Sequence, residues 1–245
     1  MTQKVDKYIY YTITPREQLF KQLAGFLFFL RLSKLSNKIL VLPRFEIKNK
    51  FYNYEDLFDF DKINNNFKVI TFDNYVFKSQ SNRDISKNTE SYIHGTWQLP
   101  INSNDYMNYR KHIDFNKKYL TFKATEKYLA IHWRQEDFLK IRPHVVMTKE
   151  ELVIYVNKKL KELNLKKVYI ATNSNVEEHM KYIHDNLPTF LIPQNNMSDI
   201  DYAIYESIIC QQSEYFIGSD TSLYSAYIIG EKMKNNKNNF EIFKK

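Results

Sequence analysis

The chain has 245 residues, 43% hydrophobic and 16% aromatic, enough for one large domain or two small ones with cores of their own. Thirty-six basic residues against 28 acidic ones give a formal net charge of +8, which suits an anionic ligand. The basic pairs Lys117-Lys118, Lys158-Lys159 and Lys166-Lys167 are isolated, whereas a nucleic-acid surface is more often a continuous stripe, so no nucleic-acid partner is expected.

In chain order, Met1 to Lys7 is polar and carries no signal-peptide core. Lys7 to Thr14 is β-branched and aromatic, a strand. Thr14-Pro15-Arg16-Glu17 reads as a helix start, with a cap, a proline at the first position and an acid in the first turn. Leu19, Phe20, Leu23, Phe26, Leu27 and Leu30 continue it at helical spacing. The apolar stretch Leu23 to Leu32 is too short to cross a bilayer and contains Arg31. No membrane span is expected, and the location is expected to be cytoplasmic. Ile39 to Leu42 is a second strand, stopped by Pro43, so the chain opens with a β-α-β unit.

Tyr54 to Phe58 reads as a helical turn and Val69 to Phe72 as a strand. Asn74 to Tyr109 is polar and irregular and is expected to be loops and short elements. Tyr128 to Ile131 begins a short apolar run, a buried strand. Thr148-Lys149-Glu150-Glu151 is a capping box before helical spacing through Leu163. Lys167 to Thr172 is a strand, and Ser174 to Glu177 a second capping box for a helix ending near Asn186. Thr189 to Ile192 reads as a strand ended by Pro193, Asp199 to Gln212 as a helix, and Tyr215 to Gly218 as a strand. A last helix ends near Met233, followed by a frayed Asn- and Lys-rich tail. The single cysteine, Cys210, excludes an internal disulfide and fits a reducing compartment. Its apolar helical setting reads as core. The expected fold class is α/β: two Rossmann-like domains, residues 1–125 and 126–245, with mostly parallel sheets.

In open α/β sheets, ligands bind beyond the carboxyl ends of the strands. Three strand-to-helix junctions of the second half fall there: His132-Trp133-Arg134, Ala171-Thr172-Asn173-Ser174 and Gly218-Ser219-Asp220-Thr221-Ser222. Arg134 offers a permanent charge and a planar fork of donors, although on these residues alone pairing with Asp137 at a strand end is the simpler reading. The third junction enters a helix N-terminus, which favours an anion, although Ser, Thr and Asp are also ordinary capping residues. Asp59-Phe60-Asp61 and Asp199-Ile200-Asp201 have the pattern that holds a divalent metal on a nucleotide diphosphate. Neither sits at a strand tip, and both read as structural. With six dispersed histidines and one cysteine, no metal and no cofactor are expected.

The ordered set of segments resembles the GDP-fucose protein O-fucosyltransferase family, within the wider fucosyltransferases. Ala130-Ile131-His132-Trp133-Arg134-Gln135-Glu136-Asp137-Phe138 resembles its His-x-Arg peptide motif. Tyr169-Ile170-Ala171-Thr172-Asn173 resembles the strand that usually ends Ala-Thr-Asp, and Glu206 through Tyr224 resembles the third motif. Asn37 to Pro43 and Tyr54 to Asp59 resemble segments of the first half. Phe20-Lys21-Gln22 stands where the family has Gly-Asn-Gln or Leu-Asn-Gln.

The resemblance implies a GT-B fold with two facing domains, an acceptor-side domain followed by a GDP-sugar domain. It also implies metal-independent, inverting transfer of fucose from GDP-fucose to a hydroxyl, on a protein Ser or Thr or, alternatively, on a glycan. By the same resemblance Arg134 binds the β-phosphate and the leaving oxygen, and Asp137 orients it. His132 contacts the nucleotide, Glu206 accepts from guanine, and Ser222 with Asp220 and Thr221 holds the diphosphate. Lys21, Gln22 and Thr172 complete the donor site. Glu17 lies, after a one-residue shift, near a glutamate of some members and is the base candidate. Because Lys21 replaces the family asparagine, a catalytically inactive nucleotide-sugar-binding relative is the further alternative.

Overall fold

The structure is a computed structural model that describes residues 7–12, 18–47, 50–81, 89–93, 104–174, 176–192 and 197–243. The chain divides into two compact units, Met1–Lys118 and Tyr119–Lys245, where the sequence suggested 125 and 126. Residues 119–125 pack with the second unit for visible reasons. The Tyr119 hydroxyl donates to Asp201 Oδ1 at 2.6 Å and Gln212 Nε2 donates to the Phe122 carbonyl at 3.2 Å.

The first unit holds β1 (Tyr8–Thr12), β2 (Ile39–Leu42), β3 (Phe45–Ile47), β4 (Lys50–Tyr52), β5 (Val69–Thr71) and β6 (Thr89–Ile93). Four of these form a parallel sheet in the order β5-β2-β1-β6, and β3 and β4 make a separate antiparallel hairpin. A parallel strand is covered on both faces, so β1 and β2 are near-continuous apolar runs. Ile9, Tyr11, Leu40 and Val41 are fully buried. The helix Leu19–Ser36 packs Leu23, Phe26, Leu27 and Leu30 into this core and stops at Asn37 in the left-handed region, φ 53°. Its N-cap is Gln18, in extended conformation and with no side-chain cap bond. The expected helix start at Thr14-Pro15-Arg16-Glu17, with Glu17 the base candidate, lies outside the described residues.

Among the described residues between Asn74 and Tyr109, the short elements of the expected loops and short elements are two helices and a strand. The helix Phe72–Ser81, strand β6 and the helix Asn104–Arg110 occupy much of this segment. β6 lies beside β1 in parallel register from Tyr8↔Thr89 to Thr12↔Ile93. Its polar sequence conceals it, since Thr89, Glu90 and Ser91 suit an edge strand that water reaches.

The second unit holds β7 (Leu129–Trp133), β8 (Val168–Thr172), β9 (Tyr215–Ser219) and β10 (Phe240–Phe243), parallel in the order β10-β9-β7-β8. Central β7 is buried along its whole length. Its Leu129, Ile131 and Trp133 join Leu152, Val156, Val168, Ile170 and Ile217 in one core, each large aliphatic contributing about 1.5–3 kcal/mol. The helix Lys149–Glu162 carries the expected capping box. Thr148 Oγ1 accepts from the Glu151 N–H at 3.2 Å and Glu151 Oε2 accepts from the Thr148 N–H at 2.8 Å.

Three expectations fail in this unit. The helix Glu177–Asn186 is capped by Val176 without a side-chain bond, and Ser174, the expected cap, gives its N–H to Thr172 Oγ1 at 3.0 Å instead. Thr189 to Ile192 is no strand; it contributes a single bridge from Thr189 to Val168, and residues 193–196 lie outside the described residues. The tail is not frayed, since β10 pairs with β9 and its Glu241 accepts from Lys159 Nζ at 2.9 Å. Cys210 is fully buried, as its helical setting implied.

Candidate functional site

The strands β7, β8 and β9 run parallel, so their carboxyl ends lie at one edge of the second sheet, and the three junctions singled out in the sequence meet there. Ser219 joins two of them. Its Oγ donates to the His132 carbonyl at 2.5 Å and accepts the Arg134 N–H at 3.1 Å. The second junction is tied in by Thr172, whose Oγ1 donates to the Trp133 carbonyl at 2.7 Å, and by Asn173, whose Oδ1 accepts the Gln135 N–H at 2.8 Å. Backbone groups at a strand tip have lost their ladder partners and need such replacements. The side chains that supply them also fix the path by which Arg134 leaves the sheet.

Arg134 Nη2 lies 2.8 and 2.9 Å from the two carboxylate oxygens of Asp137. Asp137 opens the short helix Asp137–Ile141 behind the residue Glu136, which has φ 42° and ψ −100°. A non-glycine residue there is strained and is tolerated where the surrounding contacts enforce it. The Asn173 amide, which donates to Glu136 Oε2 at 3.2 Å, is one of those contacts. The Arg134 guanidinium also lies 5.4 Å from the Phe138 ring centre. An ion pair beneath it and a ring beside it hold the fork in one orientation. The Arg134 side chain keeps only 13% of its surface exposed.

A second cation completes the arrangement. Arg142 lies 5.4 Å from the same Phe138 ring and donates to Thr221 Oγ1. Thr221 is held in the left-handed region at φ 57°, and its N–H donates to Asp220 Oδ1 at 2.8 Å. Ser222 follows as the N-cap of the helix Leu223–Lys234, accepting the Ser225 N–H. Asp220, Thr221 and Ser222 thus shape the turn into a helix N-terminus, with a positive end that favours a bound anion.

A buried chain of polar groups lies beneath the tips. His132 is 4% exposed, and its Nδ1 lies 2.8 Å from Ser225 Oγ, which in turn accepts the Ser219 N–H at 2.9 Å. Burial, helped by the charge of Arg134, pushes the His132 imidazole down to a pKa of about 3, so the ring is neutral and can accept from Ser225. The ring of Tyr224 packs against it at 4.7 Å. The Tyr224 and Tyr169 hydroxyls each donate to the Glu206 carboxylate at 3.1 Å. Burial raises that carboxylate to a pKa of about 7, against the lowering effect of the two hydroxyls. Glu206, His132 and Arg134 therefore belong to one connected set, through Tyr224, Ser225 and Ser219.

A family model described as GDP-fucose protein O-fucosyltransferase matches residues 101–234, more than half of the chain and all of the site just described. The chain belongs to the GDP-fucose protein O-fucosyltransferase family. The Caenorhabditis elegans "GDP-fucose protein O-fucosyltransferase 2" is 30% identical over 102 residues, 40% of this chain and 24% of that protein. The chain thus spans about a quarter of that relative. Among solved structures, POFUT1 in its apo form superimposes with a TM-score of 0.73 at 13% identity, covering 99% of each chain. POFUT1 in complex with GDP-fucose gives 0.73 at 12% identity, again over 99% of each chain. NodZ α-1,6-fucosyltransferase co-crystallised with GDP gives 0.56 at 11% identity over 92% of each. These likenesses establish the fold as that of the fucosyltransferases.

Of the residues singled out by the family motifs, His132, Arg134, Asp137, Thr172, Asp220, Thr221 and Ser222 gather at the strand tips. Glu206 is joined to them through Tyr224. Lys21 and Gln22 lie in the first unit, on the helix Leu19–Ser36 and outside the stretch that the family matches. Gln22 is buried and donates to the Glu46 carbonyl at 2.7 Å, fastening that helix to β3. Asp59 caps the helix Phe60–Asn66, accepting the Lys62 N–H, and Asp201 accepts from Ser198 and Tyr119. Among the described residues no group of three or more His, Cys, Asp or Glu side chains is placed to share a metal, and no helix is long and apolar enough to cross a membrane. Sequence reasoning missed Arg142, Ser225 and Tyr224. Only Ser225 had a signal: a small polar residue three places after the cap Ser222, on a helix otherwise rich in apolar groups.

Proposed function

We propose that this chain transfers fucose from GDP-fucose to a hydroxyl acceptor, in the first instance a Ser or Thr of a protein, with inversion at the anomeric carbon and without a metal. The observation that carries the reading is Arg134, fixed by Asp137 and Phe138 at the meeting point of three strand tips, with Arg142 beside it. In the transfer, the acceptor oxygen bonds to the fucose anomeric carbon and the bond to the β-phosphate oxygen breaks. The acceptor proton passes to a base, for which Glu17 is the candidate. Negative charge grows on the departing oxygen, and a cation already in place lowers the barrier because it need not reorganise. Arg134 fills that role, and the helix N-terminus at Ser222 supports the diphosphate. Glu206 meets the guanine N1–H and 2-amino group, both donors that a carboxylate accepts.

Calorimetric titration with GDP, GDP-fucose, GDP-mannose and UDP-sugars, with and without EDTA, tests the donor assignment. Selective binding of GDP and GDP-fucose that EDTA leaves intact is the expected result. Absence of guanine-nucleotide binding overturns the reading. A binding protein that holds the donor without using it is separated by a second readout: it binds GDP-fucose but neither transfers nor hydrolyses it.

A further inference from the structure

The first unit carries a cavity of about 400 Å³ beside the carboxyl end of its sheet, within the range of roughly 300–1,000 Å³ typical of small-ligand sites. Aromatic rings wall it. Tyr10 of β1 and Phe72, the first residue of the helix Phe72–Ser81, lie 5.6 Å apart. Phe51 of β4 completes the wall and is 63% exposed. Glu46 is opposite Phe51 in the hairpin register, so the two side chains leave the same face.

The charges of the lining select the occupant. Arg44 is held by both oxygens of Asp73 at 2.9 and 3.0 Å, which neutralises that pair. Glu46 also lines the cavity, and Arg44 is the only cation among its described lining residues. The cavity is thus net negative, in a chain whose net charge is +8. An anion is repelled, and an apolar group would leave Glu46 unmatched. A cation gains both the carboxylate and the faces of the rings, an interaction worth about 0.5–2 kcal/mol for each well-placed ring.

We propose that this cavity receives the basic side chain, lysine or arginine, of a polypeptide acceptor. The inference rests on the reading of the chain as a transferase acting on protein, and it deepens that reading by naming a determinant of acceptor choice.

NMR titration of the full chain with Nα-acetyl-lysine methylamide and Nα-acetyl-arginine methylamide tests it, with the norleucine analogue and methyl α-glucoside as controls. The basic probes are expected to bind at least fivefold more tightly than norleucine. Glu46→Gln and Phe51→Ala, both changes at solvent-reached side chains, are expected to erase that preference. GDP affinity, measured in parallel, is expected to be unchanged, so that loss of the acceptor pocket and failure of the donor reading are told apart. Equal binding of norleucine, stronger binding of the glucoside, or no binding of any probe overturns the proposal.

Discussion

Ser219 holds Arg134 by the backbone: its Oγ accepts the Arg134 N–H at 3.1 Å while donating to the His132 carbonyl at 2.5 Å. One hydroxyl therefore replaces two ladder partners where β7 runs out. Removing it leaves both groups unmatched, at a cost of about 1–3 kcal/mol. Ser219→Ala is expected to fold, to melt several degrees lower, and to bind GDP about tenfold more weakly, because Arg134 loses its fixed origin. Unchanged GDP affinity in calorimetry would show that the side-chain contacts to Asp137 and Phe138 suffice alone.

Arg134→Ala is expected to keep the fold and to lower transfer by at least a hundredfold, the usual scale for one lost stabilising group at a developing charge. Arg134→Lys is expected to recover little, because an ammonium cannot reproduce a planar fork seated between Asp137 and Phe138. Arg142→Ala tests the second cation: a loss of about tenfold in donor affinity with smaller change in turnover is expected. Single-turnover assays on the three variants decide this, and wild-type turnover in Arg134→Ala would remove the assigned role.

Much of the site was readable because its chemistry is local. Each of β7, β8 and β9 is a short apolar run ending in polar residues, and that pattern marks a buried strand delivering groups to a sheet edge. The capping box at Thr148 was equally local. What was hidden depends on distance in the chain. Arg142 gains meaning only from Thr221, 79 residues away. β10 is four residues containing Glu241, and it becomes a strand because Lys159 and Tyr215 from other elements accommodate that acid. At Ser174 the local signal met a competitor, because Thr172 Oγ1 accepts the N–H that the Glu177 carboxylate would take in a capping box. The cavity beside Glu46 gave no sequence signal, since its walls come from four separate segments.

Gly218 sits where a side chain does not fit. A Cβ there would lie 2.9 Å from the Ser225 Cβ and 2.9 Å from Ile242 Cδ1. Ser225 is anchored to His132 and Ser219, so it cannot yield without disturbing the site. Gly218→Ala is expected to destabilise by about 1–3 kcal/mol through overpacking and to weaken GDP binding. The Ile242→Ala change in the same chain is expected to relieve only part of the strain, because the contact with Ser225 remains. Denaturant unfolding of the single and double variants measures both effects; a neutral Gly218→Ala would show that β10 and the last helix move apart freely.

His132 and Glu206 give the fold opposite pH dependences. His132 falls from its ordinary value of 6.5 to about 3, so the unfolded chain binds its proton more readily than the folded one. Its contribution is complete above pH 6.5 and is lost as pH falls toward 3, on the order of 3 kcal/mol by pH 4. Glu206 rises from 4.5 to about 7, so the folded chain binds that proton more readily. Its contribution is complete below pH 4.5 and is lost as pH rises through 7. His132→Asn is expected to flatten the acid side of the stability curve and Glu206→Gln the side between pH 4.5 and 7. The second variant is expected to gain roughly 1–3 kcal/mol at pH 8, where the wild-type carboxylate is charged in a buried site. It is also expected to lose guanine affinity, because an amide offers one acceptor where the carboxylate offers two. Urea unfolding from pH 4 to 8, run beside GDP titrations, reads both consequences. A Glu206→Gln variant that gains no stability at pH 8 would mean that the Tyr169 and Tyr224 hydroxyls already keep the carboxylate charged at neutral pH.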